Sequence, residues 1–383
     1  MSDVFLCAFK RTPIGRYGGG LSMTRPDDLA ATVIDGLLDQ QDIAVDEVIF
    51  GCANQAGEDN RNVARMATLL SRLGEGTPAL TVNRLCASGL DAIITATRTI
   101  RDGGAEIIIA GGVESMSRAP FVMPKPETAF SRTSEIHDTT IGWRFIHHRI
   151  SALYGVDSMP ETAENVAADF HISRADQDAF ALRSQTRYSA AWHATDILPV
   201  GSMTTDEHPR ATTLEKLSAL KTPFRTPGTV TAGNASGIND GAAGVLLASA
   251  AAVKRHRLTP LARIGQAASA AVAPRIMGIG PVAALAKLTE RTGLTPQDFD
   301  VIELNEAFAA QVLACLRQWQ IPDEAAHVNA YGGGICIGHP LGASGARIAG
   351  TAARRLAESG GKHALATLCV GVGQGVALSI HAV

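Results

Sequence analysis

Apolar positions recur along this chain in two alternating rhythms. Short apolar runs of strand length stand at residues 4–8, 48–51, 80–83 and 106–110. Between them, residues 26–38 and 62–73 carry apolar positions at helical spacing. Pro26 falls in the first turn of the earlier helix, and Asp27 and Asp28 suit the positive end of its dipole. The run at 106–110 is nearly all apolar and ends in Gly111-Gly112, the mark of a strand buried on both faces. A further helix is predicted just after Cys86, with Leu90, Ile93, Ile94 and Ala96 near i, i+3, i+4 spacing. Regular succession of strand and helix points to an α/β fold.

From about residue 117 the texture changes. Residues 117–160 contain scattered prolines, Trp143 and a basic run from Arg144 to Arg149 that includes His147 and His148. Polar helices are predicted at 161–170 and 173–194, and 206–228 is polar and broken by proline. Residues 229–249 return to core, with a strand at 245–248. The expected division is a first α/β half at 1–117, completed by 238–260, an inserted loop or cap domain at 118–237, and a second half at 261–383. The two ends repeat each other. Ala30-Ala31 matches Ala283-Ala284 and Val48-Ile49 matches Val301-Ile302 at an offset of 253. Ser88-Gly89 matches Ser344-Gly345, and Ala96 matches Ala352, at an offset of 256. Kept order and a nearly constant offset predict a duplicated unit. On that offset Cys86 pairs with Gly342 and Asn83 with His339, so the halves set different chemical groups at equivalent strand-to-helix turns.

Composition narrows the function. The chain has 383 residues, 46% hydrophobic but only 5% aromatic, with 38 glycines, which suits helices pressed closely on sheets. A net charge of −3 offers no basic field for nucleic acid or an acidic membrane. No apolar run approaches the roughly 18 residues of a membrane span. The first residues resemble a strand broken by charge and proline, not a signal peptide. None of the six cysteines stands in a C-x-x-C pair or has a histidine at zinc-finger spacing. Reduced thiols, a cytoplasmic setting and no bound metal are expected.

Four stretches carry candidate chemistry. In NRLCASGL (83–90), Cys86 stands at or just before a helix N-terminus, where a thiolate is stabilised; a lowered pKa and a nucleophilic role are expected there. A buried, inert cysteine fits that stretch equally well. In GHPLGASGAR (338–347), Pro340 biases His339 toward extended backbone and the glycine frame allows close approach, so His339 fits a base that later donates to an oxyanion. In CVGVGQG (369–375), Cys369 ends an apolar strand and enters a glycine turn with consecutive N–H groups. This is not a dinucleotide fingerprint, since no helix or acidic partner follows. In NEAFAAQ (305–311), Asn305 either caps the helix or holds a water or oxyanion, and both roles are compatible. Two thiols and an imidazole suit thioester exchange with carbon–carbon cleavage. Zinc also takes such groups, but these stand on separate glycine turns rather than on paired ligand loops.

Together with GGVESMSRAP (111–120) and TAGNASGINDGAA (231–243), these motifs resemble the thiolase family, the acetyl-CoA acyltransferases, over essentially the whole chain. The resemblance implies a thiolase fold of two related α/β halves, layered α-β-α-β-α, with a loop domain inserted in the first. It implies that Cys86 is the acylated nucleophile, that His339 activates it and binds a thioester oxygen together with a water on Asn305, and that Cys369 shuttles the α-carbon proton. Backbone N–H groups of Cys86 and Gly371 would form the oxyanion hole, Ser236 would lie along pantetheine, and Met159 and Met277 would line the acyl pocket. The reaction would be ping-pong, with CoA and acyl-CoA as partners and no metal or redox cofactor. A homodimer or homotetramer is implied as well. Within the family, GCANQAGEDNRNVARMATLL (51–70), TTIGWRF (139–145) and YGVDSMPETAENVA (154–167) are most similar to members acting on 3-oxoadipyl-CoA in aromatic-acid degradation. Other readings are an acetoacetyl-CoA or general 3-oxoacyl-CoA thiolase, and an inert CoA-binding relative.

That substrate ends in a carboxylate, for which Arg144, His147, His148 and Arg149 are candidate partners. Arg210, with Lys216, Lys221 and Arg225, is a candidate for the CoA phosphates. Some residues depart from the family pattern. Ala87 replaces a usual glycine, Tyr331 and Cys336 are unusual in NAYGGGICI (329–337), and the 200–206 stretch is short. Tyr331 is expected to narrow the space behind His339.

Overall fold

The computed structural model describes residues 3–38 and 43–383. The first half runs β1 (Val4–Arg11), α1 (Pro26–Leu37), β2 (Glu47–Gly51), α2 (Val63–Leu70), β3 (Ala79–Val82), α3 (Ser88–Asp102) and β4 (Ile107–Ser115). Then comes the segment with α4 (His148–Tyr154), α5 (Met159–Asp169) and α6 (Arg174–Arg187), before the chain returns in β5 (Asn239–Ser249). The second half runs β6 (Ala262–Ala271), α7 (Gly280–Thr292), β7 (Val301–Leu304), α8 (Ala309–Gln318), α9 (Leu341–Ser359), β8 (His363–Val370) and β9 (Gln374–His381).

The strand order is β7-β8-β9-β6-β1-β5-β4-β2-β3. Each half repeats one order. In the first, β3, β2 and β4 are parallel, and β5 and β1 follow antiparallel. In the second, β7 and β8 are parallel, and β9 and β6 follow antiparallel. The counterpart of β3 is reduced to a single parallel bridge, Ile302 with Val328. The halves join where β1 meets β6, at Phe5 with Arg263 and Leu6 with Ala262.

Three apolar cores set the layers. The central core joins Leu90, Ile93 and Ala96 of α3 to Ala346, Ala349 and Leu356 of α9, with strand residues of both halves. One outer core packs Leu29, Val33 and Ile34 of α1 on Phe50 and Ile109. The other packs Leu285, Leu288, Val312 and Leu316 on Ile302 and Leu365. The layering is therefore α-β-α-β-α, with α3 and α9 sandwiched between the half-sheets. Both central helices end at a glycine in the left-handed region, Gly103 (φ 82°) and Gly360 (φ 68°).

α3 and α9 cross at their N-termini, and small residues permit it. A Cβ on Gly89 would lie 2.5 Å from the Gly342 carbonyl oxygen, and one on Gly345 would lie 2.3 Å from the Leu90 nitrogen. Gly89 and Gly345 are the residues related by the 256 offset. Their crossing brings the two strand-to-helix turns together. Among the described residues no helix is long and apolar enough to cross a membrane.

Candidate active site

The first turn carries Cys86. After β3 the chain makes one 3-10 turn, Leu85–Ala87, and α3 begins at Ser88. Leu85 takes a left-handed φ of 47°. Asn83 Oδ1 accepts from the Leu85 N–H at 2.8 Å. Ser88 Oγ accepts from the Arg84 N–H at 2.9 Å and donates to the Leu85 carbonyl at 2.6 Å. These bonds hold the turn and present the sulfur to a cavity of about 420 Å³.

The lowered pKa expected for Cys86 is not what its surroundings give. Burial pushes the thiol up, to about 11, and the nearby Glu114 charge adds to that. The Gly371 N–H and the residue's own N–H oppose the rise. Partial exposure through the cavity tempers the shift further. At rest Cys86 is a thiol, with two backbone N–H groups that favour its thiolate form.

Cys369 is the second-last residue of β8, just before the hairpin turn into β9. Val372 and Gly373 in that turn have φ of 62° and 79°. Cys369 packs with Met277, Ala307 and Phe308, with Met159 against them. Burial raises its thiol well above the ordinary range, and the charge of Cys86 is the next cause.

Asn305 follows β7 directly, and its N–H donates to the Thr367 carbonyl at 3.0 Å, two residues before Cys369 in the chain. Its amide nitrogen lies 3.4 Å from Nε2 and 3.5 Å from Nδ1 of His339. The His339 N–H donates to Asn239 Oδ1 at 2.9 Å. Burial, then the Arg347 cation, lowers the imidazole to about 3, so it is neutral. Ser344 Oγ stands 2.6 Å from Nδ1 and donates to the Pro340 carbonyl at 3.0 Å. That donor count puts the proton on Nδ1 and leaves Nε2 as the free base.

Glu114, at the end of β4, ties the turns together. Its carboxylate accepts from the N–H groups of Ala53 at 2.9 Å, Asn54 at 3.0 Å and Gly342 at 2.9 Å. Gly342 opens α9, while Ala53 and Asn54 follow β2. Burial raises Glu114 to about 7, against the lowering effect of these three bonds. The motif GGVESMSRAP contains Glu114, but sequence reasoning gave it no role. The signal was there: an acid next to the last residue of a largely apolar, fully buried strand. Cys52, Asp59 and Glu114 hold ligand atoms within 4.8 Å of one another. Backbone donors already engage both carboxylates, with Gln55 and Gly57 bonding Asp59. The Cys52 thiol points at Asp59, 3.5 Å away.

Other expected site residues distribute unevenly. Met159 lines the Cys86 cavity, and Met277 is buried beside Cys369. Ser236 donates its N–H to the Ala307 carbonyl at 2.9 Å, next to the Asn305 stretch. Arg210 bonds the Ala232 carbonyl at 3.0 Å and His208 at 3.3 Å, and is not among the cavity-lining residues. Arg144 lines the cavity, whereas His147, His148 and Arg149 are exposed and do not. Tyr331 stacks on Trp192 with ring centroids 4.2 Å apart, and its expected crowding of His339 is not among the contacts it makes. The shortened stretch near 200 closes as a tight Val200–Met203 pairing.

The chain is similar to known proteins over its whole length. The family model for "Thiolase, N-terminal domain" matches residues 4–251, and that for "Thiolase, C-terminal domain" matches 258–382. A beta-ketoadipyl-CoA thiolase of Pseudomonas putida is 59% identical, with all of both chains covered. A 3-oxoadipyl-CoA/3-oxo-5,6-dehydrosuberyl-CoA thiolase of Escherichia coli (strain K12) is 55% identical, again with 100% of both covered. The crystal structure of human mitochondrial 3-ketoacyl-CoA thiolase in complex with CoA superposes with a TM-score of 0.92 at 39% identity, covering 100% of this chain and 98% of that one.

Proposed function

Since the chain belongs to the thiolase family and is an acyltransferase, we propose that it cleaves 3-oxoadipyl-CoA with coenzyme A into succinyl-CoA and acetyl-CoA. The observation that carries this reading is that Cys86 and Gly371 line one cavity with Met159, and Met159 packs against the cluster that holds the buried Cys369. The names of the P. putida and E. coli relatives support the substrate.

The chemistry runs in two halves. Cys86 gives its proton to Nε2 of His339, and the sulfur attacks the 3-oxo carbon of the substrate. The bond between C2 and C3 breaks and leaves its electron pair on C2 of acetyl-CoA. His339 and a water on Asn305 stabilise the thioester oxygen of that enolate. Cys369 protonates C2, and acetyl-CoA departs. Cys369, now a thiolate, takes the thiol proton of coenzyme A. The CoA sulfur attacks the acyl-Cys86 carbonyl, whose oxygen rests on the N–H groups of Cys86 and Gly371. Cys86 leaves as thiolate and recovers its proton from His339. A neutral imidazole and an un-ionised thiol suit a proton transfer made as the substrate reacts, not a standing ion pair.

Ser236 lies along pantetheine in this reading, Met159 and Met277 border the acyl chain, and Arg210 approaches the CoA phosphates. No metal or redox cofactor takes part. Six cysteines, all free, fit the reducing cytoplasm. We also propose a homodimer, on its own or within a homotetramer. The sheet ends on β3, where Leu80 is 41% exposed, and Leu69 and Leu70 of α2 are exposed at 43% and 56%. An uncovered edge with apolar neighbours is a pairing surface. Light scattering on the purified protein reads the subunit number, and a monomer would remove that part of the proposal.

The test of function is a panel of 3-oxoacyl-CoA thioesters assayed for CoA-dependent cleavage. The dicarboxylic 3-oxoadipyl-CoA is expected to have the highest kcat/KM. Preference for acetoacetyl-CoA would favour a general thiolase instead, and CoA binding without turnover would favour an inert relative.

A further inference from the structure

We infer that Arg144 is the receptor for the distal carboxylate of the acyl chain, and that Asn54 aims it. This rests on the 3-oxoadipyl-CoA reading and names the group that selects that substrate. Arg144 is the one cation among the residues lining the Cys86 cavity, and Glu114 is the one carboxylate. Glu114 does not compete for the guanidinium, because its oxygens are engaged by three backbone N–H groups. Among the described residues Arg144 forms no ion pair.

Its bond is to a neutral group. Arg144 Nη2 donates to Asn54 Oδ1 at 2.8 Å. Asn54 is itself clamped: its N–H donates to Glu114 Oε1 at 3.0 Å, and its Nδ2 to Thr139 Oγ1 at 3.2 Å. Thr139 Oγ1 in turn donates to the Pro120 carbonyl at 2.6 Å. The guanidinium is therefore oriented without being neutralised, and it keeps further donors in the planar fork that matches a carboxylate.

The surroundings raise the value of that fork. Leu85, Met116, Trp143 and Met159 share the cavity wall. A charge beside apolar groups interacts more strongly with its partner than it would in water. An acyl chain with a methyl end leaves the guanidinium facing carbon, so the site selects by penalty as well as by attraction. Cys86 and Arg144 line the same cavity, so an acyl chain on the sulfur shares its space with the guanidinium. His147, His148 and Arg149, outside the cavity, take no part.

The test compares kcat/KM for 3-oxoadipyl-CoA and acetoacetyl-CoA in the full-length wild type and in R144Q, R144K, N54A and N54D. R144Q should lower kcat/KM for 3-oxoadipyl-CoA by about tenfold to a hundredfold, mainly through KM, and leave acetoacetyl-CoA unchanged or improved. R144K keeps the charge without the fork and should recover part of the loss. N54A should shift selectivity in the same direction by less. N54D supplies a rival carboxylate and should match R144Q. Equal losses with both substrates, across Arg144 and Asn54 variants alike, would overturn the inference and leave a structural role. If the wild type itself does not prefer 3-oxoadipyl-CoA, the substrate reading fails. If it does and R144Q keeps that preference, only the Arg144 assignment fails.

Discussion

Nδ1 of His339 stands 2.6 Å from Oγ of Ser344, and that hydroxyl spends its own proton on the Pro340 carbonyl at 3.0 Å. One short side-chain contact thus selects the tautomer in which Nε2 is the base. Ser344→Ala removes the selection without touching the ring. A positioned acid or base contributes roughly 10²–10⁴ to a rate, and losing its orientation should cost about 10² in kcat. Steady-state kinetics checks this. An unchanged kcat would mean that Ser344 only caps the turn.

Glu114 braces the entry of α9 against the loop after β2 through three backbone N–H groups. Glu114→Gln turns one acceptor oxygen into an NH2 group that faces a donor. Leaving such a group unsatisfied in a buried place costs about 1–3 kcal/mol. Urea unfolding should report a loss of that size. No loss would contradict the brace.

Stability should fall in acid. An unfolded histidine takes its proton near 6.5, whereas His339 and His193 resist it until about 3. Between those values the unfolded chain holds more protons, so stability rises with pH up to about 6.5. Glu114 opposes this. Its folded value of about 7 lies above the ordinary 4.5, so its contribution declines as pH rises through that interval. His208 and His381, each lowered to about 4 by burial, add to the histidine side. Melting temperatures from pH 4 to 7 should climb, His339→Gln should flatten the climb, and Glu114→Gln should steepen it. A flat wild-type profile would count against neutral buried imidazoles.

Much of the fold was legible because its elements are locally consistent. The strand at 48–51 and the start of α1 at Pro26 fall where periodicity set them. The long helix expected at 173–194 instead breaks at Tyr188, whose φ of −61° and ψ of 127° end α6. α9 starts at Leu341, directly after Pro340. Cys86, His339 and Cys369 stood out in the sequence because glycine-rich turns set them apart, and Asn305 because it ends an apolar run. Glu114, Asn54 and Ser344 were not, since their importance lies in partners distant in sequence: Gly342, Arg144 and His339. The Cys86 pKa was misjudged for a related reason. A helix N-terminus is visible in sequence, but the desolvation around it belongs to the tertiary fold.

Cys369 is buried, whereas Cys86 opens on the cavity. Cys369→Ala should therefore lower kcat within the roughly 10²–10⁴ range of acid–base catalysis. Iodoacetamide should still label Cys86 in this variant at the wild-type rate. Loss of labelling along with turnover would show that the substitution had disturbed the pocket itself.

The central claim is that Cys86 carries the acyl group between two substrates. Incubation with 3-oxoadipyl-CoA in the absence of free coenzyme A, followed by acid quench and peptide mass mapping, tests it most directly. The account predicts one succinyl group on the peptide containing Cys86, released as succinyl-CoA when coenzyme A is added before the quench. A succinyl group on Cys52 or Cys336, or turnover with Cys86 never modified, would contradict it.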